Sequence, residues 1–151
     1  MPTGKPIAVM EYHMQLGSEW DIDFTLLGNP EYDDELRRRY ERNIRIKKKL
    51  LSGQNAFYRT SGWSLYPYVS ANNGCTYKPV TEEDQVQKGD IVFCEVRSWC
   101  GGRITFYAHM VLEAELDSSG KMRYIIGNAI GHQNGWCHIE HIYGRLVKVD
   151  K

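Results

Sequence analysis

The sequence predicts an α+β fold that is mainly β: an N-terminal amphipathic helix followed by a partly closed β assembly. Three observations carry this. An apolar residue recurs every fourth position between Glu31 and Leu51, behind a capping signal. Beyond Gly53 the apolar residues come in short runs bounded by Gly, Pro, Asn and Asp, and ten tyrosines with four tryptophans supply side chains that half-buried strands favour. At 151 residues the chain fits one domain, 1–151, with an N-terminal extension 1–53 and a β domain 54–151.

Residues Met1 to Leu27 show no defensible period, although Ile7-Ala8-Val9-Met10 reads as a short strand. The helix then starts clearly. Asn29 is placed to cap it, Pro30 occupies the first helical position, and Glu31, Asp33, Asp34 and Glu35 load the first turn with acid. Tyr32, Leu36, Tyr40 and Ile44 form the apolar repeat, with Leu50 and Leu51 closing it before Ser52-Gly53. The basic residues Arg37 to Lys49 follow the acids, the order that complements a helix dipole. They are read as a solvated face, with an RNA or partner surface as the functional alternative.

The strand region divides into Asn55 to Thr60, Cys75 to Val80, Asp90 to Arg97, a hairpin of Arg103 to Leu116 with Lys121 to Ile126, and a last strand Gly144 to Val149. Asp90 to Arg97 is apolar on both faces, as a central strand would be. Thr81-Glu82-Glu83-Asp84 has the pattern of a brief capped turn, Lys88-Gly89-Asp90 of a reverse turn, and Asp117-Ser118-Ser119-Gly120 of the hairpin loop.

Nineteen basic residues balance nineteen acidic ones, so no whole-molecule field draws the chain to nucleic acid or to an anionic membrane. Cys75, Cys94, Cys100 and Cys137 form no CxxC pair and are expected as reduced, partly buried thiols. With no long apolar run and no secretory pattern at the start, a soluble cytoplasmic protein that does not bind membrane is expected.

Chemistry is expected at Ser64, on a tight turn between Gly62 and Pro67. A serine hydroxyl needs a neighbouring base, and neutral histidine suits that task near neutral pH. Two-residue alternation along Ile104 to Glu113 puts Ile104, Phe106, Ala108, Met110 and Leu112 on a core face. His109 then falls on the other, more accessible face, where a base can work. His132, Cys137, His138 and His141 surround Asn134-Gly135-Trp136, but their spacing fits no standard zinc site. They are read instead as an aromatic polar loop packed beside the serine turn, with no metal and no cofactor.

These residues resemble a family. Gly62-Trp63-Ser64-Leu65-Tyr66-Pro67 is similar to the Gly-x-Ser-Met-x-Pro box of the signal peptidase and LexA-type serine peptidases. Lys78-Pro79-Val80 and Val86-Gln87-Lys88-Gly89-Asp90-Ile91-Val92 resemble the segments after that box, and Ala108-His109-Met110-Val111 falls where members carry a Lys or His base. Gly127-Asn128-Ala129 and Ile142-Tyr143-Gly144-Arg145-Leu146-Val147 complete the likeness in unbroken order.

The resemblance implies a signal-peptidase/LexA-like β domain in which Ser64 attacks a peptide carbonyl and His109 takes its proton. Asn128 stands where an aspartate would steady the base, and His132 is an alternative base or orienter. Gly62, Trp63, Tyr66 and Trp136 would line the cleft for a peptide or protein. A non-catalytic binding or regulatory module on the same fold is the competing expectation. A further one comes from Gly89-Asp90-Ile91-Val92-Phe93 followed by His109, which also resembles NlpC-type cysteine peptidases and would make Cys75 the nucleophile.

Overall fold

The computed structural model describes residues 29–60, 62–98 and 104–150. The strand expected at Ile7–Met10, together with Ser61, Cys100 and Arg103, lies outside them. Helix α1 spans Pro30–Leu51, and Asn29 caps it as expected, its side-chain oxygen accepting from the amides of Glu31 at 3.0 Å and Tyr32 at 3.3 Å. Leu36, Asn43, Ile46 and Leu50 form its buried face. The apolar stripe therefore rotates across the helix instead of following the simple fourfold repeat, because 3.6 residues per turn drifts against a period of four.

Seven strands follow: β1 (Ala56–Arg59), β2 (Gly74–Pro79), β3 (Ile91–Ser98), β4 (Ile104–Leu116), β5 (Met122–Gly127), β6 (Gln133–Cys137) and β7 (Ile142–Asp150). They lie in the order β1-β2-β7-β3-β4-β5-β6, and β3 also pairs with β6. That last pairing closes β3 to β6 into a four-stranded barrel, from which β7, β2 and β1 continue as an open extension. The chain is mainly β with one α-helix among the described residues.

The alternation on β3 explains how the layers meet. Val92, Cys94 and Val96 point into the barrel with Val111, Tyr124, Ile126 and Cys137, while Ile91 and Phe93 point out to a second core with Ile46, Leu50, Tyr58 and Tyr77. Helix α1 covers the second core. Lys47 ties the layers together, its Nζ donating to Glu95 at 2.6 Å and lying 4.9 Å from the centre of the Tyr143 ring. Tyr143 also donates to Glu95, at 2.6 Å; burial first, and that carboxylate second, push its phenol far above the ordinary range and keep the proton on the donor.

Strand β6 corrects the expectation of a loop with a turn at Asn134-Gly135. Gln133–Cys137 pairs with β5 and, through Trp136 and Gly135, with Arg97 and Ser98 of β3. A Cβ on Gly135 would sit 2.2 Å from the Arg97 carbonyl oxygen. Glycine is thus required by the barrel seam, not by a turn.

Candidate functional site

The turn between β1 and β2 carries Ser64. Below it Leu65 and Val69 are buried in the helix-side core, so the turn is anchored by its apolar residues, while Trp63, Tyr66 and Tyr68 stay exposed above. The Trp63 and Tyr66 rings meet edge to face at 5.7 Å. Gly62 and Ser64 are half-buried. The Tyr66 amide donates to the Trp63 carbonyl at 3.0 Å, whereas the amides of Ser64 and Leu65 donate to nothing among the described residues.

The serine turn docks on the loop between β5 and β6, where Ala129 N–H donates to the Ser64 carbonyl at 2.8 Å. That loop holds its own shape. Asn128 Oδ1 accepts from the amides of Ile130 at 3.2 Å and His132 at 2.8 Å, and the Asn128 amide donates to the His132 carbonyl at 3.0 Å. Asn128 thus spends its oxygen on the loop backbone and not on an imidazole.

His109 lies next to the strand pair from which the same loop starts. Pairing of β4 with β5 runs from Leu116 back to the Met110–Gly127 pair, and His109 is the next residue, level with the start of the loop. The expectation of an accessible face is overturned, since His109 is only 2 % exposed. Its neighbours Tyr107 and Val111 belong to the barrel interior, while Ala108 belongs to the helix-side core. With a core on each side, β4 has no wet face at this level, and the two-residue alternation separates one interior from another.

The imidazole environment is specific. Nδ1 lies 2.7 Å from the Ala108 carbonyl oxygen, and the Tyr107 ring packs 4.8 Å away, centre to centre. A carbonyl only accepts, so Nδ1 carries the proton and Nε2 keeps its lone pair. Nε2 has no hydrogen-bond partner among the described residues. Burial lowers the His109 pKa from 6.5 to about 4; the Ala108 bond opposes this, and His132, near enough to be felt, adds to it. At neutral pH His109 is therefore an uncharged ring with one bare nitrogen.

Ser64, Ala129, Asn128, His132 and His109 thus gather around one loop at one end of the barrel. No hydrogen bond joins Ser64 Oγ to His109. Trp136 lies elsewhere: with Glu95, Arg97, Cys137, His138 and His141 it lines a cavity of about 180 Å³ that includes no residue of the serine turn. Among the described residues no group of three or more His, Cys, Asp or Glu side chains could hold a metal ion. His138 Nε2 instead meets Asp117 Oδ2 at 2.9 Å.

Cys75 sits within β2 with its thiol 3.5 Å from Thr60 Oγ1, and burial pushes its pKa up. It lacks the helix N-terminus that lowers the pKa of a catalytic cysteine. Sequence reasoning missed two contributors, the Ala108 carbonyl and the Ala129 amide. Both are backbone groups, which every residue type supplies, so no side-chain pattern points to them. No family model matches this chain, and no curated protein matches it.

Proposed function

We propose that the protein is a serine peptidase of the signal peptidase and LexA type, hydrolysing a peptide bond with Ser64 as nucleophile and His109 Nε2 as general base. The observation that carries this is the state of His109: neutral, fixed through Nδ1 by a backbone carbonyl, and bare at Nε2 beside the loop on which the serine turn rests. Fixing one ring nitrogen so that the other is presented as base is the task an aspartate performs in a triad. Here Ala108 takes that place, which accounts for Asn128 being free to shape the loop.

Ser64 Oγ would attack the carbonyl carbon while its proton passes to Nε2. The unengaged amides of Ser64 and Leu65 supply donors for the oxyanion, and the proton then passes to the leaving amine. The reading requires the turn to close on Nε2 when substrate is bound; catalytic hydrogen bonds commonly tighten at that stage. Nε2 must meet the hydroxyl, then the leaving amine, and then the water that hydrolyses the Ser64 acyl ester.

A second reading has a specific observation behind it. The absence of a hydrogen bond between Ser64 and His109, with Trp63, Tyr66 and Tyr68 exposed on the turn, favours a peptide-binding module that performs no chemistry. A fluorophosphonate probe separates the two. Labelling of the wild type but not of Ser64→Ala supports the peptidase; an unlabelled wild type that is folded and binds peptides supports the module.

A further inference from the structure

The outer face of α1 is not accounted for by either reading. Arg38, Arg42, Arg45 and Lys49 follow one another at steps of four, three and four residues, which keeps them on one face of an α-helix. At 1.5 Å per residue the row is about 16 Å long. Beside it lies an open groove of about 420 Å³ lined by Glu35, Arg38, Arg39, Arg42 and Arg45. Three acids of this helix are engaged with other cations, Glu35 with Arg39 and both Asp34 and Glu41 with Arg37. Arg38, Arg45 and Lys49 have no anionic partner among the described residues. Arg42 is held in the row by packing over the Tyr58 ring, 5.1 Å from its centre.

Three cations without partners on a rigid element, although the whole chain is neutral, are a local surface for a polyanion. We propose that this face of α1 binds the phosphodiester backbone of nucleic acid, without regard to base sequence. Guanidinium forks match phosphate oxygens two at a time, and a backbone carrying one charge per unit offers an anion to each member of the row. An extended acidic peptide fits less well, because its side chains alternate and every second carboxylate points away. The surface is separate from Ser64 and His109 and stands whether or not the chain is a peptidase.

Fluorescence anisotropy of the full chain with a labelled single-stranded RNA and a labelled DNA duplex tests the proposal. Between about 50 and about 200 mM salt, log K should fall against log [salt] with a slope of about −3, as expected of three or four phosphate contacts. Arg38→Gln with Arg45→Gln should make that slope shallower by about 2 and weaken low-salt binding by about tenfold or more. Arg45→Gln alone should remove about 1 from the slope, which keeps the test open if the double variant does not fold. Binding of one probe alone supports the proposal and identifies the source of the phosphates. Failure of both probes to bind at low salt, a double variant indistinguishable from wild type, or equal displacement by polyglutamate of matched charge would overturn it.

Discussion

The two ends of the barrel each hold a histidine, and they use it differently. At the end formed by the β4–β5 turn, His138 Nε2 faces the Asp117 carboxylate. The other oxygen of that carboxylate accepts from Ser119 Oγ and from the amides of Ser119 and Lys121. These bonds, the Ser119 hydroxyl first, hold Asp117 far below the usual carboxylate range, so it stays ionised and His138 Nε2 donates to it. At the end formed by the β5–β6 loop, His109 meets only a neutral carbonyl and retains a bare nitrogen. A carboxylate partner occupies the tip of one ring, whereas a carbonyl partner orients the other ring and leaves its second nitrogen bare.

The contrast can be broken most sharply at His109. His109→Gln should lower any peptide hydrolysis by about 10³-fold, the middle of the range for losing a general base, with fluorophosphonate labelling slowed in parallel. His138→Gln should leave both rates within about twofold, since no step needs it. Comparable losses in the two variants would sink the distinction between the ends.

Next in size is the seam that holds the ends in register. Gly135→Ala drives a Cβ to 2.2 Å from the Arg97 carbonyl and 2.6 Å from Val96 Cγ1. Denaturant unfolding should register a loss of about 3 kcal/mol. A near-neutral result would mean that β6 can leave β3 without consequence.

The pH dependence of stability sharpens the comparison. The folded pKa of His109 is about 4 against an ordinary 6.5. Between those values the unfolded chain binds the extra proton, so the stabilisation is complete above pH 6.5 and is lost as pH falls towards 4. The integrated difference is about 3 kcal/mol, and His109→Gln should flatten that part of the profile. An unchanged slope in the variant would show that the ring is already protonated when folded. The smallest effect belongs to the exposed Lys88–Glu113 pair, where Lys88→Ala should change stability by less than about 0.5 kcal/mol.

What the sequence discloses follows from where the causes lie. Helix α1 is legible because Asn29, Pro30 and the acidic first turn are local signals, and the bonds from Asn29 Oδ1 are the ones they predict. Strand β3 is legible because its neighbours bury it and its composition is apolar on both faces. Strand β6 is not, since Gln133-Asn134-Gly135 reads as turn chemistry and becomes strand only when β5 on one side and Arg97 and Ser98 of β3 on the other offer it partners. The burial of His109 is hidden for a related reason. Alternation reports two faces but not whether both are covered, and at Ala108-His109 one side is the helix-side core and the other the barrel. The candidate site is legible as residues and illegible as contacts, because its decisive partners, the Ala108 carbonyl and the Ala129 amide, are main-chain atoms.

Strand β7 has a role that its ordinary sequence conceals. It stands between β2 and β3, so within the sheet the hairpin bearing the serine and the barrel housing the imidazole are bridged by the stretch Ile142–Asp150. Translation delivers Ser64 and His109 before it delivers this bridging slat. A chain interrupted ahead of Ile142 would therefore own both side chains and lack the strand that stands between their two parts of the sheet.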